Sequence, residues 1–251
     1  MERRSKQIRS AWAWALLILL AQGAMWLAPL LGGTEWAVEA DSALVVEEGR
    51  KLVALTFDDG PKGKWTTKLL DGLGERGAKA TFFVIGAQVA DDPDKVRRMI
   101  AEGHEVGIHT YDHSTALTDL CRADFDAQVG RTRTLLTELL GDRTFLVRPP
   151  YGAIDESVRT WADAPLILWS VDTEDWAKMN VEQEVACILN EVEDGDIILM
   201  HDIFPESVEA ALQAVDALHE RGYYFVTVSQ LFEERGIAME KGKSYSRAPA
   251  R

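Results

Sequence analysis

The sequence predicts an α/β fold: a single-domain, distorted (β/α)7 barrel, TIM-barrel-like but one strand short. Three observations carry that expectation. Short β-branched runs alternate with helical patterns from residue 41 onward, the rhythm of a parallel sheet or barrel. About 200 residues fall into seven such units, which suits a barrel better than a doubly wound sheet, although periodicity alone does not separate the two. Polar residues collect at or just after the C-terminal ends of the runs, the end where α/β barrels build their sites.

The first run, Leu52 to Phe57, stops at two adjacent carboxylates, Asp58 and Asp59, followed by a Gly60-Pro61 breaker. Trp65, Leu69, Leu70 and Leu73 then form one helical face ending at Gly77. A second strand is expected over Ala80 to Ile85. Asp92-Pro93 opens a helix carrying Val96, Met99 and Ile100, with Gly103 past its end, the cap and Pro/Gly asymmetry of helices. Strand three, His104 to Ile108, runs into His109.

Phe125, Val129, Thr132, Leu136 and Leu140 mark a long helix ending at Gly141, and Thr144 to Val147 is a short fourth strand leading into Arg148-Pro149-Pro150-Tyr151-Gly152. A short helix is expected around Ile154 to Trp161. Strand five, Leu166 to Val171, ends near Asp172, Asp175 and Trp176. Val181, Val185, Ile188 and Val192 repeat at helical spacing before strand six, Asp196 to Met200, which ends at His201. Pro205 starts a helix with Val208, Leu212, Val215 and Leu218 on one face. Tyr224 to Val228 is the seventh strand, followed by a helix to about Arg235. The polar tail, residues 241–251, reads as frayed.

The chain has 251 residues, 47% hydrophobic and 27% charged, which fits one globular domain over residues 41–240 plus a short extension. Its net charge of -14 argues against a nucleic-acid partner, since phosphate binding wants a basic face. In residues 1–40, Arg3, Arg4, Lys6 and Arg9 precede apolar runs from Ala11 to Ala21 and from Ala24 to Leu31. Such a segment is a signal peptide cleaved near Val38-Glu39-Ala40, or an uncleaved membrane anchor. Either reading predicts an extracytoplasmic protein, secreted or held on the outer face of the cytoplasmic membrane. Cys121 and Cys187 are the only cysteines; each reads as a small packed hydrophobe, and whether they pair is left open.

Adjacent carboxylates at a strand tip repel unless a cation compensates them. Asp-Asp-Gly-Pro also makes an ordinary turn, so the rest of the chain has to supply partners. His109 and His113 lie four apart; in a helical turn both rings would share a side, and two His plus one carboxylate is the ligand set of a catalytic zinc site. One of Asp58 or Asp59 is the third ligand on this reading. His201 sits at the tip of strand six, Arg148 before two stiffening prolines, and Asp175 beside Trp176. His104 and His219 carry no expected role.

TFDDGP at 56–61, HTYDH at 109–113, RPPYG at 148–152, DTEDW at 172–176 and ILMH at 198–201 resemble, in order and spacing, the five motifs of the polysaccharide deacetylases, also called NodB-like or carbohydrate esterase family four. The resemblance spans residues 51–235. It implies that Asp59, His109 and His113 bind a divalent metal, zinc first, with cobalt or nickel as alternatives. It further implies Asp58 as general base, Arg148 orienting Asp58, His201 as general acid and Asp175 holding His201 protonated. The Tyr151 backbone N–H would join an oxyanion hole, and Trp176 and Leu199 would wall the acetyl pocket.

The implied reaction is removal of N-acetyl groups from an amino-sugar polymer. A metal that lowers the pKa of water from about 15.7 to about 7 would supply the nucleophile. Peptidoglycan is the favoured substrate, chitin-type oligosaccharides next and O-acetylated xylan third. A membrane contact is expected only through an uncleaved residue 1–40 segment. The competing reading is a non-catalytic carbohydrate-binding protein of the cell wall on the same fold, which would be expected to have lost Asp58 or a metal ligand.

Overall fold

β1 (Lys51–Asp58) is buried from Leu52 to Asp58, as a parallel strand covered on both faces must be. Its two faces part by the period of two. Val53, Leu55 and Phe57 join the large cluster formed with the surrounding helices. Leu52 and Ala54 join a second cluster with Phe83, Leu146, Ile167, Ile197 and Val226. The same alternation carries Thr56 and Asp58, both buried, onto the face of Leu52 and Ala54. The structure is a computed structural model that describes residues 50–177 and 179–250; the expected signal or anchor over residues 1–40 lies outside the described residues. Among the described residues no helix is long and apolar enough to cross a membrane.

β1 pairs in parallel with β2 (Ala80–Ile85), with β6 (Ile197–His201) and, over Lys51–Val53 alone, with β7 (Tyr223–Phe225). β2 continues to β3 (Glu105–Thr110). Val147 bridges Ile108 on one side and Leu166 on the other. β4 (Leu166–Ile167) and β5 (Val171–Asp172) follow, and β5 returns to β6. The wall is thus a distorted α/β barrel. Helices Gly63–Glu75 and Pro205–Glu220 cover it with the predicted faces inward: Leu69, Leu70 and Leu73 on the first, Val208, Leu212, Val215 and Leu218 on the second.

Several expectations are corrected. Thr144 to Val147 is no regular strand, only the bridges at Val147, because Pro149 and Pro150 offer no N–H to extend a ladder. Leu166 to Val171 is broken in the middle: the Ile167 and Leu168 carbonyls accept from the Arg148 guanidinium. Strand seven is Tyr223–Phe225 rather than Tyr224 to Val228, since Thr227 caps the last helix through a capping box with Gln230, a reciprocal pair of bonds that ends the strand.

The described part of the tail, residues 241–250, is ordered rather than frayed. β8 (Ser244–Tyr245) pairs with β4, the Ala248 N–H donates to the Gly195 carbonyl, and Ala248 is fully buried. β3 also begins one residue later than expected and runs on to Thr110. The helix Gly86–Asp91 carries no apolar repeat long enough to announce itself. Cys121 and Cys187 are both free thiols.

Candidate active site

Parallel register brings the site together before any side chain is considered. Asp58 at the end of β1 lies opposite His201 at the end of β6, so two titratable groups from distant parts of the chain meet at one rim. Asp58, Asp59, His109, His113, Tyr151, Trp169, Asp172, Trp176, Leu199 and His201 line a cavity of about 450 Å³ there. Among the described residues, four of the five non-glycine residues with left-handed backbone, Asp59, His113, Tyr151 and Glu174, lie at this rim. Each such residue costs on the order of 1–3 kcal/mol and persists only where its surroundings enforce it.

Asp58 and Arg148 form one unit. Arg148 is fully buried, and its Nη1 donates to Asp58 Oδ1 at 2.8 Å and to Thr56 Oγ1 at 2.7 Å. Nε and Nη2 donate to the carbonyls of Ile167 at 3.3 Å and Leu168 at 3.1 Å, and the guanidinium lies 4.2 Å from the Phe83 ring centroid. Burial lowers the Arg148 pKa while Asp58 opposes the shift; the group stays cationic because its reference value is so high. One oxygen of Asp58 is thereby held, and Arg148 itself stands behind the cavity wall.

Asp59, His109 and His113 form the second unit. Asp59 Oδ1 lies 3.6 Å from His109 Nε2 and 4.0 Å from His113 Nε2. Among the described residues these three are the group of metal-type ligands with donor atoms all within 4.8 Å of one another. His109 Nδ1 lies 2.7 Å from the Arg148 carbonyl; a carbonyl only accepts, so Nδ1 carries the proton and Nε2 presents its lone pair, the arrangement of a metal-ligating histidine. Burial lowers the His109 pKa against the pull of Asp58 and Asp59, which favours the neutral ligand form. Asp59 Oδ1 is buried with no hydrogen-bond partner. A divalent cation fits this set.

The two histidines do not share a helical turn as their spacing suggests. His109 belongs to β3, while His113 sits in the following loop at φ +55°, its N–H donating to Thr110 Oγ1 at 2.9 Å. Their ring centroids are 4.9 Å apart.

Asp175 and His201 form the third unit. Asp175 Oδ1 accepts from His201 Nδ1 and Oδ2 from the His201 backbone N–H, each at 2.7 Å. The ring is fixed with Nε2 as its remaining nitrogen. Burial pulls the His201 pKa down, but the hydrogen bond and charge of Asp175, with Asp58 and Asp59 adding, outweigh it and raise the value to about 9. His201 is therefore protonated at neutral pH. If it serves as an acid, turnover falls as pH rises through about 9, and Asp175→Asn, which removes the chief raising partner, moves that alkaline limb to lower pH. A limb that stays in place in Asp175→Asn, followed by acetate release against pH, would contradict the pairing.

Tyr151 and Trp176 are 71% and 59% exposed, so both aromatic faces are open at the mouth; Tyr151 also packs edge-on to His113. Leu199 is buried in the wall. Every residue singled out from the sequence falls in this constellation, with Arg148 and Asp175 one step behind the surface. Trp169 was not singled out and Asp172 was named at the end of strand five without a role, though both line the cavity. Trp169 Nε1–H donates to Asp172 Oδ2 at 3.1 Å, and the Glu174 N–H donates to Asp172 Oδ1 at 3.0 Å. The one available signal was their nearness to Asp175. His104 is structural as expected: its Nδ1 accepts from the Ala80 N–H, and burial lowers its pKa to about 4. A second hollow of about 480 Å³, lined by Thr144, Leu146, Phe232, Glu233 and Met239 among others, holds none of this chemistry.

Residues 46–164 match the family model described as polysaccharide deacetylase. Over 199 residues the chain is 37% identical to a chitooligosaccharide deacetylase of Sinorhizobium fredii, covering 72% of this chain and 92% of that protein. The chain belongs to the polysaccharide deacetylase family. It is also 41% identical over 188 residues to the peptidoglycan-N-acetylmuramic acid deacetylase PdaC of Bacillus subtilis, covering 75% of this chain and 40% of that one. The chain spans about 40% of the length of the first curated relatives it matches. Among solved structures, a T48 deacetylase with substrate matches at TM-score 0.74 and 43% identity, over 78% of this chain and 97% of that one. As a member of the polysaccharide deacetylase family, the chain carries all five motif segments on one barrel rim.

Proposed function

We propose that this polysaccharide deacetylase family member is a metal-dependent hydrolase that removes N-acetyl groups from an amino-sugar polymer, with peptidoglycan as substrate. The observation that carries the reading is the joint geometry: a carboxylate held by a buried arginine and a histidine held by a buried carboxylate flank one ligand triad in a single cavity. A carbohydrate-binding protein without activity has no use for a raised histidine opposite a buried, cation-paired aspartate. The names of the relatives, which act on peptidoglycan or chitooligosaccharides, support the substrate class.

Asp59, His109 and His113 would hold the metal, with zinc the first choice for a two-histidine, one-carboxylate set. When bound, the cation supplies a Lewis acid that acidifies water and polarises the acetyl carbonyl. Asp58 takes the proton of the attacking water, its free oxygen facing the cavity while Arg148 fixes the other. The Tyr151 backbone N–H donates to the oxygen on which charge develops, where one such donor is worth about 3 kcal/mol. His201, protonated at neutral pH, gives its proton to the departing nitrogen as the C–N bond breaks. Acetate and a free amine leave. Trp176 and Leu199 wall the space for the acetyl methyl group.

An extracytoplasmic location, secreted or anchored through residues 1–40, fits a wall polymer as substrate. Acetate release by the full chain from peptidoglycan, chitooligosaccharides and O-acetylated xylan tests the reading. Release from peptidoglycan is expected; release from xylan alone, or from none of the three, would overturn it.

A further inference from the structure

Asp202 is fully buried one residue past His201, and the reaction gives it no task. Because Asp58 pairs with His201 in register, Asp59 and Asp202 leave β1 and β6 side by side. Asp202 Oδ2 accepts from the Thr66 hydroxyl. That hydroxyl in turn accepts from the Lys62 N–H at 2.7 Å. Thr66 is also fully buried, on the first helix after the Asp-Asp turn. Asp202, Thr66 and Lys62 thus form a chain of contacts that closes on the segment carrying Asp59.

The carboxyl of Asp202 also lies flat against Gly60, the residue after Asp59: a Cβ added at Gly60 would overlap Asp202 Oδ1, Oδ2 and Cγ. Gly60 is also pinned through its carbonyl, which accepts from the Ile85 N–H at 3.0 Å. Asp59 itself holds φ +72°, a backbone conformation a non-glycine residue keeps only under constraint. The constraint is visible: Ile85 bonds the Gly60 carbonyl, Asp202 packs against the Gly60 Cα, and Thr66 ties Asp202 to Lys62.

We infer that Asp202 and Thr66 are positioning residues, a buried latch that holds Asp59 in its metal-ligating conformation. The inference rests on the metal reading of Asp59, His109 and His113. Neither residue touches the cavity, so the latch acts on metal affinity through the backbone of residues 59–62, and not on the chemical step.

The test is zinc affinity of the metal-stripped full chain, measured by competition with a chromophoric chelator, with thermal unfolding of the same metal-free samples recorded alongside. Thr66→Val and Asp202→Ala are each expected to bind zinc about 10–100-fold more weakly than the parent, the range for residues that support metal ligands from behind. Asp202→Asn keeps the shape and the acceptor for Thr66 and is expected to stay within about threefold of the parent. Should Asp202→Ala not fold, the milder Thr66→Val decides. A folded Thr66→Val with parental zinc affinity and a lowered melting temperature would overturn the latch, leaving a role in folding alone. A parent chain with no zinc affinity would instead overturn the metal reading beneath it.

Discussion

Replacing Arg148 with methionine is expected to cost the fold about 3–5 kcal/mol and to remove turnover in the same step. The cost comes from what is left behind. Asp58 is 3% exposed, and Arg148 is its partner at 2.8 Å; without the guanidinium a buried carboxylate loses its hydrogen-bonded cation, and the Ile167 and Leu168 carbonyls lose their donors. Against a typical domain stability of about 5–15 kcal/mol this is a large fraction. Lysine does not substitute, because a single ammonium cannot reach Thr56, Asp58, Ile167 and Leu168 from one position. Denaturant midpoints should fall for both variants, and Asp58→Asn in the Arg148→Met background should restore part of the stability but none of the activity. An Arg148→Met chain as stable as its parent would mean that the pair is not buried as described.

Asp58→Asn alone is expected to lower kcat by about 10²–10⁴-fold, the range attributed to a positioned general base. The amide keeps the shape and one acceptor for Arg148 but cannot take a proton from water. Metal content should not change, since the proposed ligand atoms belong to Asp59, His109 and His113. That separation of effects distinguishes the two adjacent acids: Asp59→Asn should lose the metal, and Asp58→Asn should keep it. More than a tenth of parental kcat in Asp58→Asn would remove the base assignment.

Much of the site was legible because parallel strands announce themselves as apolar runs, and their polar ends stand out. Asp58, His109 and His201 were all found this way. The spacing of His109 and His113 pointed to a pair that the structure does bring together beside Asp59, but by a strand end and a left-handed loop residue rather than by the expected helical turn. The break in Leu166 to Val171 was hidden: an isoleucine in a strand and one whose carbonyl serves a buried arginine 19 residues earlier look identical in sequence.

The tail was misread for a related reason. Residues 241–251 are polar in composition, yet two residues of pairing at Ser244–Tyr245 and one buried alanine at 248 suffice to seat the described part, residues 244–248. Trp169 escaped notice because an aromatic beside a motif is more often core, and Asp172 drew no role because an acid beside a turn is common. Asp202 escaped because nothing in a sequence marks a carboxyl that packs against a glycine 142 positions before it.

The central claim, that Asp59, His109 and His113 hold a metal without which the flanking acid and base do nothing, is tested by one reconstitution. The full chain is stripped exhaustively with a chelator, assayed for acetate release from peptidoglycan at neutral pH, and assayed again after addition of one equivalent of zinc. Activity should vanish on stripping and return on addition, with no return in His113→Ala. Full acetate release from the stripped chain would contradict the account.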